Sequence, residues 1–285
     1  MLVICPTPIG NLDDITRRQM DALRGADIIA CEDTRRSGKL LELLGIERVE
    51  GRPKLWRYDD HTASEQVSEL VGQIEAGNQV VLVSDAGTPT ISDPGYLLVR
   101  ECRRRGIEVC ALPGAVAAMV ALSASGLPTD RFHFEGFLPA ASEKRRERLR
   151  QLDDLGVTFV TYESPRRIVD TLKEIEQELG AQRQVCVGRE LTKRHEEYLV
   201  ASAASVSQEL ASRSSIRGEV VLCVGPKVRE GQGGQKRWQE VDRSIRILAG
   251  QQLRSRTIKE IIDEMYDVPR SQIYDRIEKV MGDNS

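Results

Sequence analysis

Aromatic residues are scarce, 4% of 285 with four phenylalanines and two tryptophans, which leaves little from which to build a stacking platform for free single-stranded nucleic acid. Long apolar runs are also missing. The longest, Val80–Val83 and Ala115–Leu122, fall far short of the ~20 residues that a membrane span needs. The opening MLVICPTPIG has neither a basic segment nor a long apolar core, so no signal peptide is expected. No two of the six cysteines (Cys5, Cys31, Cys102, Cys110, Cys186 and Cys223) form a C-x-x-C pair, and most lie in apolar strand-like runs. Reduced, buried thiols in a cytoplasmic protein have that pattern. The three histidines, His61, His133 and His195, are scattered with no cysteine cluster beside them, so no protein-bound metal is expected. Excess positive charge is absent too. Lys+Arg 41 against Asp+Glu 44 leaves −3, and any nucleic-acid contact must come from a local patch. With 40% apolar and 30% charged residues, the composition excludes a disordered, fibrous or membrane protein.

What the chain does contain is alternation. Apolar strand-like runs at Leu2–Cys5, Asp27–Asp33, KLWRY, Gln79–Asp85 and Glu108–Leu112 are separated by helical patterns around Thr16–Arg24, Ser37–Leu44, Ser64–Ala76 and Tyr96–Arg105. In the third of these, Val67, Leu70, Val71 and Ile74 keep helical i, i+3, i+4, i+7 spacing. QVVLVSD reads as a central strand of a parallel sheet, and the order of elements predicts an α/β fold. After a small-residue helix, Ala115–Ser125, three of the four phenylalanines fall within Ser125–Pro139, between proline and glycine breakers. That texture marks the crossing into a second α/β lobe. The second lobe runs through a charged helix (Glu143–Leu152), the strand VTFVTYE, a helix from Pro165 to Leu179, and the strands QVCVGREL and GEVVLCVG. Pro165 suits a first helical turn.

PKVREGQGGQKR is polar, Gly-rich and aperiodic, the composition of a linker. Beyond it, helical patterns at Glu240–Leu248, Thr257–Met265 and Arg270–Val280 predict a small helix-turn-helix-like unit, with Ser271 as a candidate N-cap. The expected domains are thus an N-terminal α/β lobe over residues 1–113, a second α/β lobe over 114–226, a linker over 227–237 and an all-α unit over 238–285. From Lys227 onward, 12 basic residues face 10 acidic ones, a net of +2 that is too weak to mark a DNA-binding module.

Three Pro/Gly loops follow first-lobe strands: PTPIGNLDD, SDAGTPTISDPG and LPGAVAA. Ligands of parallel sheets bind outside the carboxyl ends of the strands, so three such loops on one edge point to a site. None is a familiar phosphate cradle. G-x-G-x-x-G is not matched in these loops, and neither G-x-x-x-x-G-K-[ST] nor G-x-S-x-G occurs. The loops carry Asp85 and Asp93 and no lysine, which suits a cationic or hydroxyl-rich ligand better than a phosphate.

PTPIGNLDDIT, CEDTRR, SDAGTPTISDPG, LPGAVAAMVALSASGLPTDRFHFEGFLP, TYESPRRI and GRELTKRHEE stand in this order along the chain. Together they resemble the tetrapyrrole-methylase superfamily of S-adenosylmethionine enzymes. Within it they resemble the branch that methylates a cytidine 2′-hydroxyl at the decoding centre of 16S ribosomal RNA. The resemblance covers essentially the whole chain. It implies a two-lobe α/β fold with a small C-terminal helical unit, a homodimer, S-adenosylmethionine in the cleft between the lobes, and the assembled small ribosomal subunit as substrate. By matching motifs, Pro8, Ile9, Asp85, Gly87, Thr88, Ala115 and Val116 would lie at the cofactor, with Tyr162 and Leu191 near its adenosine. Corrin-making relatives open with a G-x-G-x-G-D type loop where this chain has P-T-P-I-G-N, which argues against a porphyrin substrate.

A ribose hydroxyl is a poor nucleophile until it loses its proton, so a positioned base helps its methylation. Asp33, Asp85, Asp93, Glu163, Glu190 and Lys193 all lie in the matching motifs, and the sequence alone does not choose among them. Each has a plain structural alternative as a hydrogen-bond or ion-pair partner. Arg35, Arg36, Arg166, Arg167 and Arg189 are candidate phosphate ligands, as are Lys144, Arg145 and Arg146 of the helical EKRRERLR, which has five basic and two acidic residues. Internal ion pairs are the alternative for these. Two rival functions remain: methylation of a corrin or siroheme precursor, and a non-catalytic nucleic-acid-binding regulator built on the C-terminal helices.

Overall fold

Strands and helices alternate from the N-terminus: β1 (Leu2–Ile4), α1 (Arg17–Gly25), β2 (Ile28–Cys31), α2 (Thr34–Leu43), β3 (Lys54–Arg57), α3 (Ala63–Glu75), β4 (Val80–Leu82), α4 (Tyr96–Arg104) and β5 (Val109–Ala111). The computed structural model describes residues 1–285 except 60–62, 228–231, 252, 267, 269 and 283–285, so His61 and part of the expected linker lie outside the described residues. The five strands form one parallel sheet in the order β3-β2-β4-β1-β5. Parallel pairing demands a crossover after each strand, and helices supply most of them. Successive strand residues face opposite layers. Leu2, Ile28, Ala30, Val80 and Leu82 pack with Val67, Leu70, Val71 and Ile74 of α3 and with Leu98 and Cys102 of α4. Val3, Ile29, Cys31 and Val81 pack on the other side with Leu23 of α1 and Leu41 of α2.

A second sheet contains β6 (Phe132–Phe137), β7 (Thr158–Glu163), β8 (Gln184–Arg189), β9 (Glu197–Ser202) and β10 (Val220–Val224), in the order β6-β7-β10-β8-β9. Only the β6–β7 pair is parallel. One face is covered by α6 (Ser142–Asp154), α7 (Ile168–Leu179) and α8 (Ala203–Ala211). The other is covered by α5 (Ala117–Ala124), whose Ala118, Ala121 and Leu122 share a core with Val160, Cys186, Val221, Cys223, Leu191 and Ile9. Ile9 comes from the loop after β1, so the first loop is anchored in the core of the second lobe.

Two details depart from the sequence pattern. The helix α7 begins at Ile168 and not at Pro165, because Ser164–Arg167 closes a turn in which the Arg167 amide donates to the Ser164 carbonyl at 2.9 Å. The elements β9 and α8 carry no clear sequence signal. The edge strand β9 is half-exposed, without strong alternation, and α8 follows in a serine-rich run.

The described part of Val228–Ser285 forms a separate compact unit. Its helices are α9 (Gln232–Gly250), α10 (Ser255–Met265) and α11 (Arg270–Gly282). Val241, Ile245, Ile258, Ile262, Ile273, Ile277 and Val280 form its core. Arg276 grips Asp242 through two bonds of 2.7 and 2.9 Å and covers the Trp238 ring. Residues 232–237, given to the linker by their composition, are helical. Once a helix is nucleated, each added residue contributes a hydrogen bond, which carries α9 back through two glycines. The Ser271 side chain lies outside what the structure describes.

Candidate active site

Because β4, β1 and β5 are adjacent and parallel, the loops after them emerge at one edge of the sheet. Side chains and main chain bind these loops together. Thr7 and Gly87 exchange backbone hydrogen bonds of 2.8 and 3.1 Å, and the Thr7 hydroxyl donates to the Ser84 carbonyl at 3.1 Å. Thr88 Oγ1 donates to the Ala115 carbonyl at 2.9 Å. Thr16 and Gln19 form a capping box at the start of α1, and Gln19 Nε2 then donates to the Pro113 carbonyl at 3.0 Å. Gly87 has φ +88°, a conformation that disfavours a side chain, and it lies against Ile9 and the Ala115 carbonyl.

These loops wall a cleft of about 420 Å³, a volume suited to a cofactor-sized ligand. From the first lobe it takes Ile9, Glu32, Arg36, Asp85–Thr88 and Ile91–Asp93, and Val116 and Ala117 come from the start of the second. The second lobe supplies Phe137, Tyr162, Glu163, Pro165 and Gly218–Val221. The last set gathers because β7 runs antiparallel to β10, which registers Tyr162 with Val221 and Glu163 with Val220. Of the residues expected at a cofactor, Ile9, Asp85, Gly87, Thr88, Val116 and Tyr162 therefore meet at one place. Ala115 and Leu191 stand directly behind it, Ala115 accepting from Thr88 and Leu191 buried against Ile9, and Pro8 precedes Ile9 in the chain without lining the cleft.

The candidate bases separate by their partners. Asp33 caps α2, accepting from the Arg35 amide at 2.8 Å and pairing with the Arg35 guanidinium, which holds its carboxyl far below the usual range. Asp85 pairs with Arg36 at 3.0 Å. Glu163 has a fully buried side chain that accepts from the Ser164 amide, the Arg167 guanidinium and the Thr171 hydroxyl. It fastens the SPRR turn to α7 and has no free face for a substrate proton. Glu190 and Lys193 pair with each other at 2.9 Å, and Lys193 also meets Glu219 at 3.0 Å. They support the rim through Glu219 and do not line the cleft.

Asp93 differs from all of these. It lines the cleft and forms no ion pair among the described residues. Burial first, then the charge of Glu32, push its carboxyl up to about 7, with Ser84 as a hydrogen-bond partner working the other way. Its loop is held in strained backbone, with Thr90 at φ +75° and Ser92 at φ +63°. A carboxylate tuned near neutrality in a cleft is what general-base chemistry at neutral pH needs.

The basic candidates divide in the same way. Arg145 is only 4% exposed, with both sides of its guanidinium on Glu174 and a further bond to the Ala140 carbonyl. That removes it from the set of phosphate ligands. None of the EKRRERLR helix lines the cleft, and Arg148 and Arg150 are taken by Glu135 and Glu178. Arg167 serves Glu163, and Arg189 serves Glu197 and the Arg217 carbonyl. Arg35 is bound to Asp33, and Arg36 reaches into the cleft at Asp85. Lys144 and Arg166 are exposed and Arg146 half-buried, with no ion pair among the described residues.

Phe137, Ser92 and Glu219 escape the sequence reading. Three aromatic rings gather here: Phe134 and Phe137 make edge-type contacts with Tyr162, their ring centroids 5.2 and 5.5 Å from its own.

Residues 1–207 match the model of the tetrapyrrole (corrin/porphyrin) methylase family. A ribosomal RNA small subunit methyltransferase I of Escherichia coli O157:H7 is 46% identical over 234 residues, covering 80% of this chain and 79% of the relative. That of Vibrio cholerae is 40% identical over 275 residues, 96% of this chain and 93% of the relative, so the similarity continues into the C-terminal helices. This chain belongs to the ribosomal RNA small subunit methyltransferase I branch of the tetrapyrrole methylases. The fold agrees with that family. Uroporphyrin-III C-methyltransferase of Thermus thermophilus, solved with S-adenosyl homocysteine, superposes with a TM-score of 0.52 at 18% identity, over 80% of this chain and 98% of that one.

Proposed function

We propose that this tetrapyrrole methylase transfers a methyl group from S-adenosylmethionine to the ribose 2′-hydroxyl of a cytidine at the decoding centre of 16S ribosomal RNA, acting as a cytoplasmic homodimer on the assembled small subunit. The names of its relatives support the ribosomal substrate and the methyl transfer. The donor set of the cleft supports the cofactor: its lining carries four acidic side chains besides Asp93 and a single cation, Arg36, which suits a sulfonium ligand and repels a phosphate. Ile9, Gly87, Thr88 and Val116, with Pro8 next to Ile9 in the chain and Ala115 behind Thr88, would hold the methionine side, and Tyr162 with Leu191 the adenosine. When bound, S-adenosylmethionine supplies an electrophilic methyl carbon.

The observation that carries the chemistry is Asp93. Its carboxylate accepts the proton that the ribose oxygen must lose, and passes it to solvent afterwards. Asp85 is already engaged by the Arg36 guanidinium at 3.0 Å. Nucleoside analysis of 16S RNA after reaction tests this reading. A single new 2′-O-methylcytidine is the expected product; a base-methylated nucleoside contradicts it, and transfer to a uroporphyrin-type substrate in place of RNA returns the corrin and siroheme reading.

The C-terminal unit has a hydrophobic core of its own, which supports a separate docking role on the subunit. Removing residues 228–285 is expected to raise the KM for subunits about tenfold or more, one hot-spot contact being worth about 2 kcal/mol, while S-adenosylhomocysteine affinity is retained. Unchanged activity on subunits from the truncated chain contradicts the docking role.

A further inference from the structure

Phe137 is the last residue of β6 and is 60% exposed, yet it lines the same cleft as Asp93. Its position is built. The register between β6 and β7 shifts between Phe134 and Gly136, a β-bulge that re-aims the side chains following it. Gly136 has φ +73°, and a Cβ there would stand 3.2 Å from the Ser92 hydroxyl, so the bulge is seated against the strained turn that carries Asp93. The ring of Phe137 makes an edge-type contact with Tyr162, 5.5 Å between centroids, and more than half of the residue remains exposed. Ile91, 39% exposed, adds a second apolar side chain to the cleft lining. The cleft therefore combines an acidic lining with an exposed aromatic ring beside it.

An acidic lining repels phosphates, so the part of a nucleotide that can enter is its base and sugar. Structured RNA offers these only when the nucleotide is splayed out, and splayed bases are held by stacking on aromatic side chains. We propose that Phe137 is the platform on which the target base of the RNA stacks, setting its ribose against Asp93. This rests on the ribosomal RNA reading above.

The test uses the full chain with Phe137→Ala, Phe137→Leu and Phe137→Trp, measuring S-adenosylhomocysteine binding by titration calorimetry and methyl transfer to unmodified small subunits. Loss of one stacking contact lowers kcat/KM for subunits by about 5- to 100-fold in F137A and F137L, whereas F137W, which keeps a π-face, stays within a few-fold of the parent. Cofactor-product affinity stays within about twofold in all three. An F137L variant as active as the parent overturns the platform, because the ring then serves only as apolar filling. A loss of S-adenosylhomocysteine affinity equal to the loss of activity overturns it in favour of the cofactor's own adenine. An oligomeric state that changes in step with activity overturns it in favour of a contact between copies. If the parent chain labels no subunits, the ribosomal RNA reading itself fails; if the parent is active and F137A is indifferent, only the platform fails.

Discussion

Replacing Asp93 by asparagine should lower the rate of methyl transfer by about 10²- to 10⁴-fold, the usual contribution of a positioned base, while cofactor affinity changes little. The size of the effect follows from the partners of the cleft carboxylates. Asp85, Glu163 and Glu219 are each engaged by a cation, Arg36, Arg167 and Lys193 respectively, whereas Asp93 forms no ion pair among the described residues. Asp93 is desolvated and faces Glu32 and Asp85, which pushes its carboxyl up from 3.8 to about 7. Below that value activity should fall about tenfold per pH unit, and above it should level off. A bound sulfonium favours the ionised form and can move the inflection only downward.

The same shift carries a stability consequence. A carboxyl whose folded pKa lies above its unfolded value adds stability at low pH that is lost as the pH rises through the folded pKa. Asp93→Asn should therefore melt higher than the parent at pH 8, and the difference should shrink toward pH 4. An inactive variant that is also less stable at pH 8 would point to a structural role. Full activity in Asp93→Asn would remove it from the mechanism.

The second large effect concerns Arg145 and Glu174. Their bidentate pair, at 2.6 and 2.8 Å, is buried between α6 and α7, and Ser142 completes the Glu174 coordination at 2.7 Å. Removing one partner strands the other charge, at a cost of about 3–5 kcal/mol. For a unit of this size Glu174→Ala should lower Tm by on the order of 10 °C. Replacing both residues with apolar side chains of similar volume should restore most of the loss. Subunit binding separates this role from RNA contact. Arg166→Ala, at an exposed side chain without an ion pair among the described residues, should lower the salt dependence of the subunit KM by about one unit of log–log slope. The Arg145 variants should change Tm and leave that slope alone. An Arg145→Met protein that melts normally but binds subunits with a smaller salt slope would reverse the assignment.

The parts legible in the sequence are those specified by local pattern. Val67, Leu70, Val71 and Ile74 predict the buried face of α3, and QVVLVSD predicts the central strand β4. The three Pro/Gly loops meet because their strands are neighbours and parallel, and an alternating sequence already implies such a sheet. Charge pairing is not legible in this way. Arg36 and Asp85 are 49 positions apart, and Arg145 and Glu174 are 29 apart, so EKRRERLR looks like an open basic surface until α7 is packed on it. Choosing among the five acidic candidates likewise depends on which of them meets a cation in three dimensions. Phe137 was hidden for another reason: a bulge of one residue decides whether an aromatic side chain enters a core or faces a cleft, and hydrophobicity does not encode that difference.

Transfer of tritiated methyl from S-adenosylmethionine to purified, unmodified small ribosomal subunits, with naked 16S RNA and RNA-free reactions as controls, tests the central claim most directly. Label on the subunits, little on naked RNA, and a single 2′-O-methylated cytidine at the decoding centre when the label is mapped are the predicted results. Cofactor binding without any label on subunits or RNA would contradict the ribosomal substrate, and neither binding nor label would contradict the enzyme itself.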